Sequence, residues 1–154
     1  WMIGDCHCIV DGKYYDNPKP YEIPIAKKRA EILKDALANG ATVEELRRND
    51  IGRESVLPIL KKACKEQNKA YSVIDGFPIP LQHVRVIKVK APEAEIVLAS
   101  DGYPRLMPTL RESEKELECL LAEDPLCIGD NIATKGLKVG QKSFDDRSYI
   151  RLTS

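Results

Sequence analysis

Two aspartates stand where an apolar run meets a turn: Asp101 in Ile96-Val97-Leu98-Ala99-Ser100-Asp101-Gly102, and Asp145 in Ser143-Phe144-Asp145-Asp146-Arg147-Ser148-Tyr149. Carboxylates so placed could hold a hard metal ion through their oxygens. Gly102 is expected to permit an unusual backbone angle and the close approach of a ligand. The competing reading is structural, because Asp-Gly after a strand commonly makes only a turn. The pair therefore carries more than either member.

Other reactive residues offer less. Cys6-His7-Cys8 is spaced too tightly for paired zinc ligands, and no second cluster completes a set of four, so buried thiols on a strand are expected. A cysteine nucleophile needs a histidine base. The chain has two histidines: His7, which strand alternation turns away from Cys6 and Cys8, and His83, read as a strand-surface residue. A cysteine-dependent hydrolase stays as an alternative whose mark is unusually fast alkylation of Cys6 or Cys8. The basic, glycine-containing run from Thr134 to Gly140 lacks the pattern of a phosphate-binding loop. It is expected to be solvated, though its place before Asp145 could let it face a phosphorylated ligand.

The elements that must position these residues are legible from pattern. Residues 2–10, Asp11-Gly12 and residues 13–15 read as a hairpin with Met2, Cys6, Cys8 and Val10 on one face and Ile3, Asp5, His7 and Ile9 on the other. Ala26, Ala30, Leu33, Ala36 and Leu37 recur at helical spacing from Ile25 and stop at Asn39-Gly40. Thr42-Val43-Glu44-Glu45 and Thr109-Leu110-Arg111-Glu112 are capping boxes that predict two further helices, the second running to Ala122. Another helix is predicted over residues 53–68 on Val56, Ile59, Leu60, Ala63 and Cys64, with Pro58 in its first turn or at a kink. Strands are predicted over residues 70–74, 83–89, 95–99 and 148–152.

At 154 residues the chain suits one domain. Lys+Arg and Asp+Glu are 24 each, so no global positive field draws it to nucleic acid or to an acidic membrane surface. No apolar run approaches bilayer length and no basic-then-apolar leader opens the chain, so a cytoplasmic protein is expected. Five cysteines, an odd number, point to reduced thiols. The chain opens in what reads as a core strand, without an initiator Met, so a preceding segment of the same domain is expected.

These residues resemble the metal-dependent type 2C serine/threonine protein phosphatases. Ile3-Gly4-Asp5-Cys6 is similar to the family's Val-Gly-Asp-Ser strand, Leu98-Ala99-Ser100-Asp101-Gly102 to its Leu-Ala-Ser-Asp-Gly motif, and Asp145-Asp146-Arg147-Ser148 to its terminal Asp-Asn-x-Thr. The order agrees, and the intervals of 96 residues from Asp5 to Asp101 and 44 from Asp101 to Asp145 resemble the family's. The resemblance covers this whole chain but only the later part of a family domain. It implies an α+β fold, part of a sandwich of two antiparallel sheets flanked by helices, with Mg²⁺ or Mn²⁺ between the sheets and Asp101 and Asp145 as ligands of one ion. Ser148 stands where the family has Thr, and Gly102 allows the tight turn. It further implies hydrolysis of a phosphorylated protein substrate by metal-activated water. Cys6 replaces the motif serine, His7 its usual arginine and Asp146 the asparagine. The Asp-Gly-His-Gly-Gly motif, the bridging aspartate and the early arginine are expected on strands preceding Trp1. The alternative is a non-catalytic binding or regulatory module that keeps the fold.

Overall fold

The hairpin forms around Asp11 and Gly12, both at positive φ (48° and 75°), the geometry a two-residue turn demands and Asp-Gly supplies. In the computed structural model, which describes residues 1–89 and 93–153, it joins β1 (His7–Val10) to β2 (Lys13–Tyr15). There follow α1 (Glu22–Ala38), α2 (Val43–Arg48), α3 (Ile51–Cys64), β3 (Glu95–Ala99), α4 (Leu110–Glu123) and β4 (Tyr149–Thr153). The four strands make one antiparallel sheet in the order β2-β1-β3-β4, so the chain is α+β. It divides into two compact units: Trp1–Lys19, Glu66–Leu117 and Asp145–Ser154 form the first, Pro20–Lys65 and Glu118–Phe144 the second. Among the described residues no helix is long and apolar enough to cross a membrane.

In the first unit, Met2, Cys8 and Val10 form a buried cluster against which Cys6, Tyr15, Ile87, Val89 and Ile96 pack. Alternation thus sorts the side chains of β1 as predicted, although regular pairing covers only residues 7–10, because Gly4 at φ 75° turns the chain away before them. Two predicted strands form no ladder. Residues 83–89 meet the N-terminal segment at one bridge, Met2 to Arg85 (Met2 N–H to Arg85 carbonyl 2.8 Å, the reverse bond 3.1 Å), and extend no ladder. Residues 70–74 contribute one bridge, Gln67 to Tyr71. Packing takes the place of pairing there. Ile87 and Val89 cover the cluster without a strand partner, while buried Ser72 accepts from the Gly4 N–H (3.2 Å) and donates to the His83 carbonyl (2.9 Å). His83 lies in a 3₁₀ turn, Leu81–His83, and its Nε2 meets the Lys69 carbonyl oxygen at 2.7 Å, so it is not the strand-surface residue expected.

In the second unit, α1 packs on α3. It begins three residues before the predicted start, with Pro24 in the first turn, where a missing N–H costs no helical bond. Ala30, Leu33, Leu46, Leu126 and Ile128 form its core. Helix α2 carries the reciprocal capping box: the Glu45 N–H donates to Thr42 Oγ1 (3.2 Å) and the Thr42 N–H to Glu45 Oε2 (2.8 Å). Helix α3 starts at Ile51 because Asp50 caps it, accepting from the Arg53 N–H at 2.7 Å. Its buried residues are Gly52 and Val56, one turn apart, whereas Ile59 and Cys64 are exposed and Pro58 sits mid-helix. A Cβ on Gly52 would lie 2.9 Å from Arg29 Cγ and Leu33 Cγ, so glycine sets how closely the two helices approach.

Candidate functional site

Register does the work of bringing the two aspartates' segments together. Ala99 pairs with Tyr149 across β3 and β4. The contact continues past the ladder: the Ser100 N–H donates to the Ser148 carbonyl (3.2 Å), and the Ser148 N–H donates to Ser100 Oγ (3.0 Å). The turn carrying Asp101 therefore runs beside the segment Asp145-Asp146-Arg147, across 44 residues of sequence. Asp101 is exposed and Asp145 half-buried, the latter accepting from the Asp146 N–H at 3.0 Å.

Gly102 has a different reason from the one predicted. Its φ is not positive; what excludes a side chain is the neighbouring segment, since a Cβ would run into the Asp146 carbonyl and lie 2.7 Å from Arg147 Cβ. The close approach is of backbone, not of ligand.

Three residues brace these segments and none was singled out from sequence. The Tyr103 hydroxyl donates to Glu114, and Arg147 grips the same carboxylate with two bonds, Nε to Oε1 at 2.9 Å and Nη2 to Oε2 at 2.8 Å. The Arg147 guanidinium lies 5.9 Å from the Tyr103 ring centroid, and Tyr149 meets that ring edge-on at 6.2 Å. Bonding to Arg147, and then to Tyr103, holds the Glu114 carboxyl below the usual range, while burial, reinforced by Glu114, pushes the Tyr103 phenol up. The available signal was positional: Tyr103 follows Asp101 by two residues, and Arg147 follows Asp145 by two.

A second polar group occupies the β1 end of the same unit. His7 pairs through Nδ1 with the Tyr14 hydroxyl, and Asp5 is bonded to Lys19. Burial lowers the His7 pKa more than Asp16, Asp101 and Asp5 raise it, which favours the neutral imidazole. Burial, with help from Asp16 and Cys8, pushes the Tyr14 phenol up to about 12. The two-residue turn already implied this pairing, because it puts residues 7, 9 and 14 on one face of the hairpin.

As donors, two carboxylates suit a hard divalent cation in kind. In number they are part of a coordination sphere: among the described residues no group of three or more His, Cys, Asp or Glu is arranged to hold a metal ion. The loop over residues 134–140 is less solvated than predicted. Gly136 and Leu137 are buried, with the Leu137 N–H donating to the Pro125 carbonyl at 2.7 Å, and exposure begins at Lys138.

Compared with known proteins, the chain matches no family model, no curated protein and no solved structure.

The thiols supply a discriminating measurement. All five cysteines are free; Cys64 and Cys119 are exposed, Cys6 is half-buried, and Cys8 and Cys127 are buried. Burial, then Asp124, pushes the Cys127 thiol up to about 12, and burial raises that of Cys8. Because the thiolate is the reactive form, iodoacetamide at pH 8 is expected to label Cys64 and Cys119 first, Cys6 later, and Cys8 and Cys127 only in denaturant. Peptide mass spectrometry reads the order. Cys6 or Cys8 reacting first would reinstate the cysteine-dependent hydrolase.

Proposed function

We propose that this chain is the later portion of a type 2C phosphatase-like domain, in which Asp101 and Asp145 contribute carboxylates to a Mg²⁺ or Mn²⁺ site that hydrolyses phosphate monoesters of phosphoserine or phosphothreonine. The observation that carries the reading is the β3–β4 pairing, which sets the Ser100-Asp101-Gly102 turn beside the Asp145-Asp146-Arg147 segment. When bound, the metal would supply an acidified water as nucleophile and charge to neutralise phosphate oxygens. The chain's own contribution is to hold two oxygen donors at one end of a sheet, with Gly102 letting the segments touch. The intact domain is taken to be cytoplasmic and to act on protein substrates.

One sheet face supports a second layer. Leu98 pairs with Ile150 and Ile96 with Leu152, so all four project to one side, and Leu98, Ile150 and Leu152 are 44%, 56% and 40% exposed. Apolar side chains so placed on a sheet suit coverage by another sheet packed about 10 Å away, as a sandwich containing an upstream segment would provide.

The chain alone is expected to hydrolyse p-nitrophenyl phosphate no faster than metal in buffer. Joined to its upstream segment it is expected to show Mn²⁺- or Mg²⁺-dependent turnover, from which Asp101→Asn and Asp145→Asn each remove most of the rate while Cys6→Ser leaves it. Metal-independent turnover, or full activity in both aspartate variants, would overturn the mechanism. The rival, a regulatory module without chemistry, draws on His7 and Asp146 standing where the family pattern has Arg and Asn. An upstream sequence lacking an Asp-Gly strand motif would favour it.

A further inference from the structure

Two aspartates on separate turns make a chelate only if the turns hold their spacing. A carboxylate a few tenths of an ångström out of place loses the advantage of being already positioned. What holds the spacing here lies outside both turns. Tyr103 is buried and anchored two residues beyond Asp101; Arg147 lies two residues beyond Asp145; and one side chain, Glu114 on α4, takes a hydrogen bond from the first and a two-pronged ion pair from the second. The strand ladder ends at Ala99 and Tyr149, and past it the Ser100 N–H donates to the Ser148 carbonyl. Helix α4 is itself secured next to this point. Its Thr109–Glu112 capping box is closed, and fully buried Ser113 accepts from the Met107 N–H and lies 3.0 Å from the Thr109 carbonyl. Glu114 therefore projects from a fixed support.

We propose that Glu114 is a positioning residue, which through Tyr103 and Arg147 sets the spacing of the Asp101 and Asp145 turns and thereby the affinity for a divalent cation held between them. The inference rests on the metal-site reading above and adds to it. Glu114 is not itself a ligand, because both its oxygens are engaged with Arg147 and Tyr103. Removing such a supporting group typically costs about 10- to 100-fold in metal affinity.

The test is a Mn²⁺ titration of the ¹⁵N-labelled chain followed by paramagnetic broadening of backbone amides, which reads binding on the order of millimolar without any activity. In the wild type, amides 100–102 and 145–147 are expected to broaden together along one isotherm. Glu114→Ala is expected to weaken that isotherm about 10-fold and to separate the two turns' responses. Glu114→Gln keeps one acceptor oxygen, able to serve Tyr103 and Arg147 Nε, but loses the charge and the second acceptor that Arg147 Nη2 uses, so its isotherm is expected to fall between those of the wild type and Glu114→Ala. Glu116→Ala removes an ion pair to Arg105 from the same helix and is expected to leave the isotherm unchanged, separating positioning from general loosening of α4. Should Glu114→Ala not fold, Arg147→Lys carries the same expectation, since an ammonium cannot make the paired bonds. A folded Glu114→Ala or Arg147→Lys with the wild-type isotherm overturns the positioning role alone. A wild-type chain in which Mn²⁺ broadens neither turn overturns the metal site and the positioning role with it.

Discussion

Asp50→Ala is expected to destabilise the second unit by about 4 kcal/mol, roughly 3 from breaking a buried ion pair and about 1 from losing a helix cap. Arg29, on α1, is fully buried (0% exposed), and Asp50 holds it through Nη2 at 2.7 Å and Nε at 3.0 Å. The two Nη1 hydrogens go to the carbonyls of Leu126 (2.8 Å) and Ala133 (3.0 Å), so one side chain ties α1, the start of α3 and the segment after α4 together. Without Asp50 the cation would stay buried among dipoles with no counter-charge. Those carbonyls satisfy part of its hydrogen bonding, which is why the lower end of the range for broken buried pairs applies. Asp50→Asn keeps an acceptor for the Arg53 N–H and is expected to recover about 1 kcal/mol of the loss. Urea unfolding followed by amide signals of α1 and α3 measures both variants. Because the pair is shielded from solvent, the loss should change little between low and high salt. A loss under about 1 kcal/mol for Asp50→Ala would place the pair with surface bridges and contradict its burial.

Gly102→Ala is expected to cost about 2–3 kcal/mol, against the small gain that glycine to alanine gives where the backbone geometry tolerates it. The added methyl meets the Asp146 carbonyl and Arg147 Cβ, so a rotamer change cannot relieve it. Either the Asp101 turn or the Asp145 segment must move. Amide shifts at residues 145–148 should therefore change even though the substitution lies more than 40 residues away in sequence. Stability within about 0.5 kcal/mol of wild type, with those shifts unmoved, would show that the segments are not in contact.

The parts of this protein legible in its sequence are those held by interactions across a few residues. The Asp11-Gly12 hairpin and the capping boxes at Thr42–Glu45 and Thr109–Glu112 formed as read, because donor, acceptor and backbone angle are all specified locally. The α1 stripe and the sorting of Cys8 and Val10 to one face followed from periodicity, which needs only that one side be dry. Periodicity could not say who supplies a strand's hydrogen bonds. Residues 83–89 alternate as a strand should, yet Gly4 turns the would-be neighbour away after one bridge, and the apolar side chains are buried by packing alone.

Asp101 and Asp145 were conspicuous because each ends or begins an apolar run, but the meeting of the segments that carry them depends on a β3–β4 register that neither segment encodes by itself. The same holds for the reason behind Gly102, for Arg29 reaching carbonyls about a hundred residues away, and for Glu114 serving two turns at once. Each is a long-range contact whose partners carry no shared local signal. Local hydrogen bonding and alternation are decided by neighbours along the chain; which polar groups meet is decided by how the packed layers close over them, and that only the tertiary structure settled.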